Sequence, residues 1–420
     1  MKEPDAAGLK GRRGRMGAPA ARDSGADADS GATWFDGVVI LAAVAAFLLL
    51  FIHFFGTRYT VRNDFATFWA VSRLMLHGQL DAVYDPPRFA AICDALFGAH
   101  PGDLTRFWPY PPNAVFLVAP LALIPSYAAY LLWCAITFAF LALAVRLFFG
   151  DARRILIMAL APSTCANIIL GQTGFVAAAL LVAGLALLER RPLLAGALFG
   201  LLAFKPQMGM MLPLALAASR QWRPFAAAAL VAAASVVASI VAFGLEPWHR
   251  FFAATIPFEL AYASQDQSYF VVKAPTVFVA ARLAGLSEGG SFALQAVAVV
   301  AGAGAVVWAY WRPRGPSLQA ALLLAATALA SPHIHVYDLS ILSVAAIVLA
   351  EGPWPRPLAF QERLVAGLAW VFPLAILILS LVHSLALSPD PYPLAALAPL
   401  LSALLLACLA GHARRSRAAA

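Results

Sequence analysis

The first long apolar run of the sequence extends from Gly37 to Phe55 and reads GVVILAAVAAFLLLFIHFF. Its side chains are apolar apart from His53, and none of them carries a permanent charge. An α-helix of about 20 such residues is as long as the ~30 Å hydrocarbon core of a bilayer is thick. The stretch therefore predicts a helix that crosses a membrane.

The whole chain has the composition of an integral membrane protein. Of its 420 residues, 62% are hydrophobic and 12% are charged, whereas soluble domains are typically ~45–50% apolar and ~25% charged. The formal net charge is +8, but the lysines and arginines lie in short clusters between apolar runs. That distribution is typical of membrane topology rather than of a surface that binds nucleic acid. We therefore expect the lipid bilayer as a partner and no nucleic acid.

Further apolar runs follow the first one along the chain. Together they predict an all-α integral membrane protein with about 12 transmembrane helices. The run 113–125 is too short to cross, and it predicts a re-entrant or interfacial helix on the outer side. Beyond the helix at 37–55, the predicted helices span 126–149, 155–170, 174–189, 191–204, 206–219, 223–244, 290–311, 317–331, 335–350, 364–385 and 392–411.

The two ends of the chain differ from its middle. Residues 1–33 are rich in Ala, Gly, Arg and Asp and lack apolar periodicity, which predicts a disordered cytoplasmic tail. The transmembrane domain is predicted to span 34–412, and 413–420 are predicted to form a short basic cytoplasmic tail. No small-residue cleavage site follows the first apolar run, so we expect that run to stay in the protein as a helix.

The basic clusters predict the orientation, because cytoplasmic loops are enriched in Lys and Arg. The N-terminal tail is basic, and alternate loops along the chain are basic as well, so both termini are predicted to be cytoplasmic. The remaining loops, at 56–112, 170–174, 205–207, 245–289, 331–337 and 386–391, then belong to the outer face. The basic clusters are Arg146/Arg153/Arg154, Arg190/Arg191, Arg220/Arg223, Arg312/Arg314, Arg356/Arg363 and Arg414/Arg415/Arg417.

Two charged residues of the outer loops are candidates for chemistry, since charge at membrane depth is costly. Asp64 could act as a general base, or it could cap the helix predicted after it. Lys205 lies beside Pro206 in a break between two apolar runs. It could neutralise a lipid phosphate, or its side chain could extend so that the ammonium group lies at the membrane–water interface.

The other polar candidates lie in two further outer turns. His333 and His335 are two residues apart and cannot form the i, i+4 zinc pair of helical metal sites. We therefore expect no metal and no cofactor, and either a proton-transfer or phosphate-binding role or hydrogen-bonded turn histidines. Gln172 could bind a sugar hydroxyl or form hydrogen bonds with the backbone of its own turn. Tyr110 precedes two prolines that stiffen the chain.

These candidates share the outer side, and the cytoplasmic loops carry no Gly-rich phosphate-binding motif. If the chain is an enzyme, its activated donor therefore reaches it through the membrane. A secondary transporter or lipid flippase is the main alternative, since broken helices and buried charges also mark transport pathways. A non-catalytic scaffold that binds lipid-linked glycans is a third possibility.

An ordered set of motifs resembles glycosyltransferase family 87 of bacteria, formerly called DUF2029, over roughly residues 35–410. The set is Asn63-Asp64-Phe65, Tyr84-Asp85, Tyr110-Pro111-Pro112 with Pro120, Gly171-Gln172, Lys205-Pro206-Gln207 and Ser331-Pro332-His333 with Tyr337-Asp338. The resemblance implies a GT-C-type bundle of transmembrane helices in the bacterial inner membrane. It also implies an inverting transferase that moves a sugar, mannose first among the candidates, from a polyprenyl-phosphate donor to a glycan or glycolipid acceptor.

The resemblance assigns roles to individual residues. Asp64 would be the general base, and Lys205, His333 and His335 would bind the donor phosphate. Tyr110, Gln172 and Tyr337 would shape the pocket for sugar and acceptor, on the periplasmic side. Asp64 has no second acid beside it, which departs from the paired-acid motif of metal-dependent GT-C branches and favours a metal-independent reaction.

Overall fold

The computed structural model describes residues 25–57, 63–98, 106–263, 274–312, 314–354, 356–384 and 397–418. These residues form helices joined by short connections, and no strand occurs among them. In the first half of the described chain, the α-helices are α1 Gly25–Thr57, α2 Phe65–Leu76, α3 Leu80–Val83, α4 Pro86–Phe97, α5 Val115–Val118, α6 Ser126–Phe149, α7 Arg153–Ala159, α8 Pro162–Leu170, α9 Gly174–Leu187 and α10 Pro192–Leu201.

The second half continues in the same all-helical manner. Its α-helices are α11 Pro206–Gly209, α12 Leu212–Ala218, α13 Trp222–Phe243, α14 Glu246–Arg250, α15 Ile256–Ala263, α16 Val277–Leu283, α17 Glu288–Tyr310, α18 Pro316–Ala330, α19 Ser340–Glu351, α20 Phe360–Ser384 and α21 Leu397–Ala418. Short 3₁₀ segments lie at Pro112–Ala114, Ala119–Leu123, Leu202–Phe204 and Val336–Leu339, and a π-helical turn lies at Phe251–Thr255.

The described residues contain six helices that are long and apolar enough to cross a membrane, so the chain is a multi-pass membrane protein. They are Trp34–Phe54, Ser126–Phe149, Trp222–Phe243, Glu288–Tyr310, Phe360–Ser380 and Leu397–Arg415. The pair α7 and α8, bent by 52°, would make a seventh span. The predicted count of about 12 is therefore not confirmed.

Prolines explain part of the difference between the predicted runs and these spans. The run predicted as one helix at 155–170 breaks before Pro162, and the run at 206–219 divides into α11 and α12. Proline begins a helix readily but cannot continue one without losing a backbone hydrogen bond. The remaining apolar helices, α9, α10 and α18 among them, are shorter than a full crossing. The segment at 113–125 is likewise a short, broken helix.

Helices also reach into both predicted tails. Helix α1 begins at Gly25, within the stretch predicted to be disordered, and 1–24 lie outside the described residues. Helix α21 continues to Ala418, beyond the predicted boundary at 412. Helices α1 and α21 therefore extend beyond the predicted bounds of the transmembrane domain, one at each end of the described chain.

Close helix packing depends on glycine where α10 crosses α13. Gly196 and Gly200 lie one turn apart on α10, and a Cβ atom on either would lie within 2.5 Å of the α13 backbone carbonyl of Pro224 or Ala228. Small residues at this spacing let two membrane helices approach closely. Helices α9, α18 and α19 are buried inside the bundle, and they carry the turns that form the site described below.

Ion pairs join the basic clusters at one end of the bundle. Arg153 contacts both Glu351 and, at 2.5 Å, Asp36, while the Arg154 Nε atom lies 2.7 Å from Glu351. These pairs connect the start of the α1 span, the start of α7 and the end of α19. A second group at the same end joins Arg356 and Arg415 to Glu362. The loops predicted to be cytoplasmic therefore meet in space.

Candidate active site

Asp64 lies at the end of the bundle opposite these arginines, immediately before α2. Its backbone carbonyl accepts a hydrogen bond from the Thr67 amide at 3.1 Å, but its side chain makes no capping bond to α2. Instead, one carboxylate oxygen accepts a hydrogen bond of 3.0 Å from the Gln172 side-chain amide. Asp64 is half-buried, so its carboxylate is held in place and still reaches the surface of the protein.

Gln172 is positioned by the tight turn between α8 and α9. Gly171 has a φ of +64°, and a Cβ atom there would lie 2.6 Å from the Phe65 Cβ atom. The Trp133 indole donates a hydrogen bond of 3.3 Å to the Gln172 backbone carbonyl. On the α2 side, the Asn63 amide donates to the Ile169 carbonyl at 2.8 Å. The turn and the start of α2 are therefore fastened together.

Side-chain hydrogen bonds extend from Asp64 through the buried interior to Lys205. The Tyr110 hydroxyl donates to the Gln172 side-chain oxygen at 3.0 Å and also lies 3.0 Å from the Thr173 hydroxyl oxygen. The Lys205 ammonium donates to that same Thr173 oxygen at 3.4 Å. Because the single phenolic hydrogen is used on Gln172, the Thr173 hydroxyl must donate to Tyr110. The hydrogen bonds that run from Lys205 through Thr173, Tyr110 and Gln172 are thus all donated toward Asp64, whose carboxylate only accepts.

Lys205 is paired with a second carboxylate. Its ammonium nitrogen lies 2.6 Å from an Asp338 oxygen, and the two side chains are 1% and 0% exposed. The other Asp338 oxygen accepts a hydrogen bond of 3.1 Å from the His335 amide. The Lys205 nitrogen also lies 4.8 Å from the centre of the Tyr337 ring. The charge of Lys205 is therefore compensated within the protein, as burial of an ion requires.

Burial governs the protonation of the groups in this network, which lie outside the six long helices. It raises the pKa of Tyr110 and of Tyr337 well above that of a free phenol, so both hydroxyls remain protonated donors. Burial lowers the pKa of the Lys205 ammonium, while the Asp338 charge and hydrogen bond act in the opposite direction.

Asn167 fastens the turn that contains Asp338 to the α8–α9 turn. Its amide donates to the Tyr337 carbonyl at 2.7 Å, and its side-chain oxygen accepts from the Phe175 amide at 3.1 Å. Gly174 makes this approach possible, since a Cβ atom there would lie 2.3 Å from the Tyr337 carbonyl oxygen. Two distant parts of the sequence are thereby held in one rigid unit.

The two histidines lie beside this network rather than within it. The His335 ring stacks on Tyr337 with centroids 5.3 Å apart, and the His333 ring packs edge-on to His335 at 4.9 Å. The His333 Nδ1 atom contacts Glu259 of α15. In the sequence the nearest acid is Asp338, and α15 brings Glu259 beside His333 in space.

Five of the seven candidate residues are joined directly by these contacts: Asp64, Tyr110, Gln172, Lys205 and Tyr337. His333 and His335 adjoin them through Tyr337. Sequence reasoning did not single out Asn167, Glu259 or the pairing of Asp338 with Lys205. A signal for the pairing existed, because a lysine predicted at membrane depth needs a carboxylate, and Asp338 stands in a quoted motif.

The fold and this arrangement define a multi-pass membrane protein with a polar site at one end of its helices. The chain matches glycosyltransferase family 87 over residues 108–332 and belongs to that family. It is therefore a membrane glycosyltransferase. No curated protein and no solved structure matches the chain.

The matched stretch divides the site residues. Tyr110, Gln172 and Lys205 fall inside it, whereas Asp64 precedes it and the turn from His333 to Asp338 follows it. The hydrogen bonds from Gln172 to Asp64 and from Lys205 to Asp338 connect these outlying residues to the matched part. Geometry, rather than the family match, thus brings the two carboxylates into the site.

Proposed function

We propose that the chain moves a sugar, with mannose as the first candidate, from a polyprenyl-phosphate donor to a hydroxyl of a glycan or glycolipid acceptor. The reaction takes place on the periplasmic face of the bacterial inner membrane, with both termini in the cytoplasm. The observation that carries this proposal is the half-buried Asp64 carboxylate, held by Gln172 at the end of the bundle remote from the arginine clusters. The partial exposure of Asp64 supports access by a lipid-linked donor.

In the proposed reaction, Asp64 takes the proton of the acceptor hydroxyl. The acceptor oxygen forms a bond to the anomeric carbon as the bond from that carbon to the phosphate oxygen breaks. The phosphate leaves with the electron pair, and the configuration at the anomeric carbon inverts. Gln172 binds one oxygen of Asp64 and leaves the other for the acceptor, which is the geometry that a general base requires.

The ion pair refines the role that we propose for Lys205. Since its ammonium is buried and bound to Asp338, Lys205 holds Thr173, Tyr110 and Gln172 in register and acts as a positioning residue. The donor phosphate then lies closer to His333 and His335, which are only half-buried. Positive charge or N–H donors at a leaving phosphate stabilise the charge that develops there.

We also propose a GT-C-type arrangement for the helices. The six long spans and the bent pair account for part of such a bundle. The shorter apolar helices α9, α10 and α18 are connected by turns at the two ends of the bundle, and they complete it as broken crossings that line the site. Irregular backbone at membrane depth is tolerated where it is surrounded by protein or lines a cavity.

The donor class is tested with membranes that carry the wild-type chain. Labelled mannose or pentose is supplied as a polyprenyl phosphate or as a nucleotide sugar, and incorporation into acceptor is measured beside membranes with Asp64→Asn. The proposal predicts incorporation from a lipid donor that the variant loses at equal expression. Incorporation from the nucleotide sugar alone would overturn the donor assignment. No incorporation from any donor, with a cellular phenotype that survives Asp64→Asn, would instead favour transport.

A further inference from the structure

Two cavities meet at the arginine end of the bundle, far from the proposed active site. The first, of about 580 Å³, lies among the ends of α6, α18, α19 and α21, and we call it the arginine pocket. The second, of about 680 Å³, runs along α17, and we call it the lateral groove. Arg312 and Arg314 line both of them. Two arginines therefore stand where a polar pocket joins an apolar groove.

The charges around the arginine pocket do not balance. Arg154 lines it but is bound to Asp151 and Glu351. In the part of the chain that the structure describes, no salt bridge joins Arg312 or Arg314 to a carboxylate. Arg414 adds a further positive charge nearby, since its guanidinium lies 5.6 Å from the centre of the Trp308 ring. The pocket is thus a site of net positive charge.

Arg314 is held in place and yet incompletely satisfied. One of its terminal nitrogens donates to the carbonyls of Trp308 and Ala309, both at 2.7 Å, at the end of α17. Its Nε atom is buried and has no hydrogen-bond partner among the described residues. Burial, and then the adjacent charge of Arg312, lower the pKa of Arg314. An anion between the two arginines would supply the missing acceptor and remove their repulsion.

The lateral groove has the length and the lining of an acyl-chain site. It extends along α17 from Arg312 past Val307 and Gly304 to Val300. The helical part of this stretch, Val300–Tyr310, rises ~15 Å, which matches the depth of one leaflet's hydrocarbon, ~15 Å. A Cβ atom on Gly304 would meet nothing within 4 Å, so the groove is open there. Trp308 and Trp311 line its arginine end, where interfacial tryptophans are expected.

We propose that Arg312 and Arg314 bind the phosphodiester of an anionic phospholipid whose acyl chain lies in the lateral groove. Basic pockets between transmembrane helices on the cytoplasmic side are suited to such headgroups. A free phosphate would use the arginines but not the groove, and a zwitterionic lipid would use the groove without needing the uncompensated charge. This site is independent of sugar transfer, since it lies at the opposite end of the helices.

The test uses the purified full-length chain in detergent, titrated with phosphatidylglycerol, phosphatidylcholine or inorganic phosphate, with bound molecules counted by native mass spectrometry. The wild type is expected to bind phosphatidylglycerol at least about tenfold more tightly than phosphatidylcholine. Each arginine contributes on the order of fivefold, so Arg312→Gln with Arg314→Gln should lose about 25-fold. Gly304→Leu, which fills the groove, should weaken phosphatidylglycerol binding as well.

The matched control is Arg190→Gln with Arg191→Gln, which removes the same charge from two exposed residues on the same predicted side. It should keep phosphatidylglycerol affinity within about twofold of wild type. Arg314 also caps α17, so if its variant fails to fold, Arg312→Gln alone should show the fivefold loss of one arginine. Equal binding of the two lipids, an equal loss in the control, or inorganic phosphate that displaces the lipid with no effect of Gly304→Leu would overturn the proposal.

Discussion

At the scale of single residues, the site is a directed chain of donors between two carboxylates. Asp64 accepts from Gln172, and Asp338 accepts from Lys205. The candidates themselves could be predicted from the sequence, because a charged residue in apolar surroundings is energetically costly and therefore indicates a functional site. Their connections could not be predicted, since Lys205 and Asp338 are separated by 133 residues and Gln172 and Asp64 by 108. Only the folded bundle reveals which acid each donor meets.

Gln172→Ala should slow transfer without unfolding the protein. The variant removes the hydrogen bond that orients Asp64, and misplacing a general base costs roughly 10–100-fold in rate. Labelled sugar transfer at equal protein measures the loss. Gln79→Ala changes an exposed glutamine of the loop at 56–112 that also contains Asp64; it is the control and should retain wild-type activity. An unchanged rate in Gln172→Ala would remove Gln172 from the mechanism.

Lys205→Met and Asp338→Asn should each destabilise the protein by about 3–5 kcal/mol, because each leaves the other charge buried without a partner. The double variant removes both charges and should lose less than the sum of the two single changes. Thermal unfolding in detergent measures the three variants. Additive losses would show that the two side chains are not coupled.

At the scale of secondary-structure elements, turns rather than long helices form the site. The long runs at 126–149, 223–244 and 290–311 agree with the observed helices to within a few residues, because their apolar length alone defines them. The breaks are harder to predict. Pro162 begins a new helix after a bend of 52° within one predicted run, and hydropathy does not distinguish a broken crossing from two whole ones. The six long spans therefore do not confirm the predicted count of about 12.

Gly171→Ala should be more damaging than Gly150→Ala. Both glycines end a helix with positive φ, +64° and +85°, but a Cβ atom on Gly150 would contact nothing within 4 Å. Gly150→Ala should therefore cost only the backbone strain, about 1–2 kcal/mol. Gly171→Ala adds a clash with Phe65 and should also displace Gln172 and reduce transfer. Equal stability and equal activity of the two variants would contradict the proposed role of the turn.

At the scale of the whole molecule, the two ends of the bundle differ in their charged residues. One end carries the arginine clusters and their acidic partners, and the other carries Asp64, Lys205 and the histidines. The basic clusters could be assigned to one side from the sequence because the positive-inside rule acts on loops independently of their packing. The ion pairs from Arg153 to Asp36 and Glu351 show that these loops lie together.

The orientation is tested by thiol labelling in a chain whose four native cysteines are replaced by serine. Gln79→Cys, on the side of Asp64, should react with an impermeant reagent added to intact spheroplasts. Arg190→Cys should react only after the membrane is opened. Both wild-type residues are exposed, so access to the reagent depends on the side of the membrane. The reverse pattern would place the proposed active site in the cytoplasm.

The role of Asp64 as general base is tested by the rate of sugar transfer by the purified chain in liposomes with labelled polyprenyl-phosphate mannose and a glycolipid acceptor. Asp64→Asn is compared with Asp81→Asn, an exposed acid of the same segment that pairs with Arg88. Loss of a general base costs typically about 100–10,000-fold, so Asp64→Asn should fall by at least about 100-fold while Asp81→Asn keeps the wild-type rate. Wild-type transfer by Asp64→Asn, at equal protein and equal folding, would contradict the account.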